Sequence, residues 1–161
     1  HLVDIIVSML GAPEKIVSFQ QQIDGDGLND NGHAVLLYPK TIATIQTALQ
    51  QADSQQSRRL FVSGTKATFE LRPLEQGYAA YPKFNDQPMK ARFFLREGNE
   101  AYEAGDHELT FGPMRDRYID QLEDFVAYVR GEKVNPYTLD YEYLVQKAVL
   151  AVSGYMEWKA E

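Results

Sequence analysis

The hydrophobic period of this chain changes once, near residue 118, and that change restricts the fold more than any single motif. Before it, apolar residues come in short β-rich runs separated by Gly, Pro, Asn and Asp; after it they recur at helical spacing. Residues 15–23 alternate, with Val17, Phe19, Gln21 and Ile23 forming the more apolar parity, which predicts a half-buried strand. Residues 33–38 and 41–49 predict two more strands about a turn at Pro39-Lys40; β-branching in 41–49 favours a strand over a helix. A hairpin around Gly64 joins 58–63 to 68–71, and 78–84, 92–96 and 108–111 complete about eight strands, mostly antiparallel because the turns are short.

Helices bracket these strands. Residues 2–10 are almost continuously apolar, and Gly11 and Pro13 stop them as a helix is stopped. Tyr118, Leu122, Phe125, Val126 and Val129 form one amphipathic stripe, ended by Gly131. Thr138 caps a second helix, with Asp140 and Glu142 in its positive first turn and Tyr141, Leu144, Val145, Ala148, Val152 and Tyr155 as its stripe. Strands followed by helices imply an α+β class: a large, mostly antiparallel open sheet with helices on one face. Residues 41–49 are apolar or small on both parities, so the other face is expected to meet a second copy of the chain.

Composition removes several function classes. Sixteen Lys and Arg against 23 Asp and Glu leave a net charge of −7 and no basic cluster, which argues against nucleic acid. No apolar run approaches the ~20 residues that span a bilayer. The absence of cysteine removes disulfides, thiol nucleophiles and thiolate metal sites. A length of 161 residues suits a single domain. The chain opens at His1, without Met and directly in an apolar run, as a segment of something longer would.

Chemistry-bearing motifs are few. His1, His33 and His107 are far apart and lack zinc-ligand spacing, so no metal site is expected; His33 reads as a strand residue beside a loop and His107 as an exposed strand-start residue. No serine lies in a G-x-S-x-G elbow. Gly25-Asp26-Gly27 lacks the third glycine of a dinucleotide fingerprint, and Asp24, Asp26 and Asp30 would repel phosphate. The same loop offers oxygen ligands for calcium but not the twelve-residue spacing, so a solvated loop is expected. There remains His1, with Asp4 one helical turn later: an imidazole titrating near neutrality is the natural group to exchange a proton with a hydroxyl or carbonyl.

His1-Leu2-Val3-Asp4, running on to Leu10-Gly11-Ala12-Pro13-Glu14-Lys15-Ile16, resembles the H-x-x-D-x(5)-L-G-x-P-x-x-V segment of the glucose–fructose oxidoreductase/inositol dehydrogenase (Gfo/Idh/MocA) family. The likeness continues in order. Residues 34–38 and 43–47 look like the family's central strands, and 60–71 (LFVSGTKATFEL) like its G-T-x-G-x-hydrophobic-E hairpin, with Ala67 replacing the usual glycine. Residues 118–125, on to Arg130-Gly131, are similar to its Y-x-x-x-L-x-D-F…R-G helix, and 140–154 to its final helix.

The resemblance implies the C-terminal, substrate-binding and oligomerisation half of a cytoplasmic NAD(P)-dependent dehydrogenase for a sugar or polyol hydroxyl, with the sheet type shared by the C-terminal domains of dihydrodipicolinate reductase and glyceraldehyde-3-phosphate dehydrogenase. It implies that His1 is the catalytic histidine, and that Asp4, Arg115, Arg117 and Tyr118 approach substrate. NAD or NADP would be bound mainly by an N-terminal Rossmann domain that this chain does not contain. A non-catalytic ligand-binding or interaction module of the same fold is the alternative, and an unrelated α+β domain with an incidental His1 is a third reading.

Overall fold

The computed structural model describes residues 1–74, 88–113 and 118–159. Its elements are α1 (Leu2–Leu10), β1 (Lys15–Gln21), β2 (Asn31–Tyr38), β3 (Thr41–Ala48), α2 (Ser54–Ser57), β4 (Leu60–Ser63), β5 (Ala67–Leu71), β6 (Pro88–Leu95), β7 (Gly105–Pro113), α3 (Ile119–Val129) and α4 (Leu139–Val152). The strand expected at 78–84 lies outside the described residues. Every described strand pair is antiparallel, and the class is α+β. The strands form two ladders, β1-β2-β3 and β4-β5-β6-β7. They belong to two compact units, His1–Gln51 with Asn135–Glu161, and Ala52–Val134.

In the first unit, α1 and α4 cover one face of the three-stranded sheet. The ladder puts Ile16, Leu36 and Ala43 in one row and Ser18, Ala34 and Ile45 in the next. Against these rows pack Val3 and Val7 of α1 and Ala148 of α4. Val3 and Val7 are four residues apart, so one helix stripe reaches the sheet. The small Ala34 and Ala148, essentially unexposed, let helix and strand approach closely. The covered parity of β1 is therefore Ile16, Ser18 and Gln20, not the more apolar Val17 and Phe19. The reason is polar: the Ser18 hydroxyl and the Gln20 amide donate to the carbonyl of Val152 (2.6 and 3.0 Å), satisfying a backbone group that the end of α4 leaves unpaired. Phe19 is consequently 59% exposed on the opposite face, beside Val17, Val35, Leu37 and Ile42.

Local signals set the helix ends. Gly11 takes φ +74°, a conformation glycine adopts without strain, and its N–H bonds the Val7 carbonyl at 2.8 Å. The Tyr38 hydroxyl donates to the Gly11 carbonyl at 3.2 Å, and burial holds its pKa above the usual phenol value. Thr138 Oγ1 accepts the Tyr141 N–H at 3.2 Å, the N-cap expected. Past α4, the Trp158 indole N–H donates to the Pro13 carbonyl at 2.9 Å.

In the second unit, cross-strand rows alternate in character. Leu60, Leu71, Ala91 and Leu109 form one apolar row, and Val62, Phe69, Phe93 and His107 the next. The other face carries Glu70, Arg92 and Glu108. There Lys90 pairs with Glu108 at 2.8 Å and Arg92 with Asp106 at 2.5 Å, exposed bridges worth under about 1 kcal/mol each. Gly64 closes the β4–β5 hairpin, its N–H bonding the Ala67 carbonyl at 2.8 Å. The single turn α2 has no periodic signature in the sequence. α3 forms where its stripe predicts, yet has no buried residue: Leu122, Phe125 and Val129 are 59, 60 and 72% exposed. A 3.6-residue period specifies a helix and its sticky face, not what covers that face.

Candidate functional site

The N-termini of α1 and α4 meet in the first unit. His1 is the N-cap of α1; its exposed side chain makes no capping bond. Asp4, in the first turn, sits where a carboxylate favours the positive end of the helix. Asp4 does not turn back onto its own helix. Its Oδ1 accepts the Tyr141 hydroxyl at 2.5 Å, a contact spanning 137 residues of chain. That bond, more than burial, raises the Tyr141 pKa from 10.0 to about 12, because a proton shared with a carboxylate is hard to remove. The Tyr137 ring lies 5.8 Å from that of Tyr141, and the Tyr137 N–H is held by Asn135 Oδ1 at 3.0 Å. The opening turn of α1 thus carries an exposed histidine at its head and, one turn on, a carboxylate hydrogen-bonded to a phenol. Such a set can exchange a proton and orient hydroxyl groups.

The expected site residues fall as follows. His1 and Asp4 share one helical turn in the first unit. Tyr118 is the N-cap of α3 in the second unit, 51% exposed. Arg115 and Arg117 lie outside the described residues. Sequence reading missed Tyr141 and Tyr137, because Tyr141 is also a regular member of an apolar stripe; only the fold puts a carboxylate against it. His107, expected to be exposed, is half-buried instead. It stacks on Phe93 (4.9 Å, 21° between planes), meets Tyr102 at 5.3 Å, and sets Nε2 2.7 Å from the Glu103 carbonyl. β7 begins at Gly105, three residues before the strand expected at 108–111, so His107 is paired within the ladder, opposite Phe93, on the apolar face of the sheet.

The loop after β1 uses its carboxylates locally. Asp30 accepts the Ile23 N–H at 3.0 Å, Asp26 accepts the Leu28 N–H at 2.9 Å, and Gln50 bonds Asp24. Among the described residues no group of three or more His, Asp or Glu could hold a metal ion. Gly25 and Gly27 lead into strand β2 rather than a helix, so no helix N-terminus is offered to a pyrophosphate there. This loop therefore does not fit a dinucleotide pyrophosphate. No described helix is long and apolar enough to cross a membrane.

Solved structures share this fold. The chain overlays an oxidoreductase from Bacillus cereus with a TM-score of 0.67 at 14% identity, covering 100% of this chain and 49% of that one. It overlays candidate oxidoreductases from Bacillus subtilis (0.69, 14%, covering 99% and 50%) and Klebsiella pneumoniae (0.67, 17%, covering 96% and 45%). The chain therefore shares the fold of these structures and spans about half of their length. No family model matches the sequence, and no curated protein does.

Proposed function

We propose that this chain is the substrate-binding and oligomerisation half of a cytoplasmic NAD(P)-dependent oxidoreductase of the Gfo/Idh/MocA type, acting on a sugar or polyol hydroxyl. The observation that carries the reading is the overlay of essentially the whole chain on half of oxidoreductases, with His1 exposed at the head of α1. NAD or NADP, held outside this chain, would supply the hydride chemistry. The chain's own part is the proton. The His1 imidazole takes it from the substrate hydroxyl as the carbonyl forms, a positioned general base typically contributing ~10²–10⁴-fold. Asp4, in the same turn, would orient the substrate. The uncovered face around Phe19 and Ile42 would meet a second copy of the chain.

In a longer chain that joins this segment to a dinucleotide-binding half, His1→Ala should lower turnover by ~10² or more with cofactor affinity intact. Unchanged turnover removes His1 from the mechanism. A second reading, a non-catalytic interaction module, is favoured by the exposed Leu122, Phe125 and Val129 of α3. Turnover by the wild-type longer chain excludes it.

A further inference from the structure

We propose that Tyr141 is a positioning residue: acting through Asp4, it fixes the opening turn of α1 and with it the bearing of His1 on the substrate hydroxyl. This rests on the assignment of proton transfer to His1. The opening turn needs an external anchor, because its N-cap side chain makes no bond to the helix it starts. Within the turn, the Ile5 N–H bonds the His1 carbonyl at 3.0 Å, so whatever holds Asp4 also holds the backbone that carries the imidazole. Tyr141 is held firmly enough to serve. Its N–H is tied to Thr138 Oγ1, its ring lies by Tyr137, and Tyr137 is tied to Asn135.

Packing alone does not call for the hydroxyl. Tyr141 continues the stripe of Leu144, Val145 and Ala148, where Phe would fill the same space. Its one distinctive atom is the oxygen that meets Asp4. With its proton held to about pH 12, this phenol remains a donor throughout the range in which an imidazole changes state, so the anchor does not move while the base titrates.

The test compares His1→Ala, Tyr141→Phe, Asp4→Ala and the Tyr141→Phe/Asp4→Ala pair in the longer, dinucleotide-binding chain. Tyr141→Phe is expected to lower kcat about tenfold, as small misplacements of a reacting group do, with the dinucleotide KM unchanged. The double variant should be no slower than Asp4→Ala alone, because each substitution removes one end of the same hydrogen bond. Losses that multiply would show Tyr141 acting independently of Asp4 and overturn the proposal. An unchanged kcat in Tyr141→Phe beside an inactive His1→Ala overturns this inference alone; an active His1→Ala overturns the assignment beneath it. Should a variant fail to fold, tyrosinate absorbance of the native 161-residue chain decides. Besides Tyr38, one phenol should ionise near 12 and return toward 10 in Asp4→Ala; a native chain with no phenol ionising near 12 would show that the bond is not there.

Discussion

Replacing Leu36 and then Leu37 by Ala tests which face of the three-stranded sheet is covered. Leu36 is 0% exposed at the centre of β2, within the cluster formed by Val3, Val7 and Ala148 from two helices and Ile45 from β3. Truncation leaves a void walled by elements on several sides, which cannot all collapse into it. That places Leu36→Ala in the upper part of the range for such changes, about 4 kcal/mol. Leu37 points to the opposite face, paired with Lys15 and Ile42 and only half-buried. Its truncation removes roughly half as much buried surface and leaves no enclosed void, so about 1 kcal/mol is expected. For a chain of this length the two correspond to drops in Tm of roughly 8–16 °C and 2–4 °C. Urea unfolding at low protein concentration, followed by the fluorescence of the single Trp158, reads this unit directly. Equal losses at the two positions would refute the assignment, since a slip of one residue exchanges the faces of the whole strand.

Two further outcomes are expected. The chain should self-associate through the uncovered face, and Phe19→Glu, which sets a charge where Phe19 is 59% exposed, should lower the mass seen by light scattering; a wild-type chain that is already monomeric, or an unchanged mass in the variant, would remove that face from the assembly. The Tyr141–Asp4 bond should stabilise the fold in a pH-dependent way. The folded pKa of about 12 lies above the free value of 10.0, so the stabilisation is complete below pH 10 and lost as pH rises through 12. Two pH units would equal about 2.7 kcal/mol, and solvent at this accessible helix end reduces that to about 1 kcal/mol. Chemical unfolding of Tyr141→Phe against wild type should show that deficit at pH 8 and not at pH 12; a deficit independent of pH would mean the hydroxyl acts only through packing.

Much of the fold was legible along the chain. Gly11 after an apolar run, Thr138 before an amphipathic one, and the β-branched alternation of residues 41–49 are local signals, and each marks an element the structure contains. That His1 and Asp4 share one turn was legible too, because a spacing of three residues is itself local. Tyr141 was not. A tyrosine in an apolar stripe looks the same whether its hydroxyl meets water or a carboxylate 137 residues away.

The covered side of β1 shows where the division lies. By itself the sequence determined that residues 15–21 are a strand and that Val17 and Phe19 form its more apolar side. Only the tertiary structure decided that this side stays open, because α4 ends with an unpaired carbonyl that Ser18 and Gln20 can satisfy and Val17 and Phe19 cannot. Period and propensity act within a few residues. Which faces meet, and therefore which tyrosine reaches which carboxylate, is settled by contacts between segments that the chain order keeps far apart.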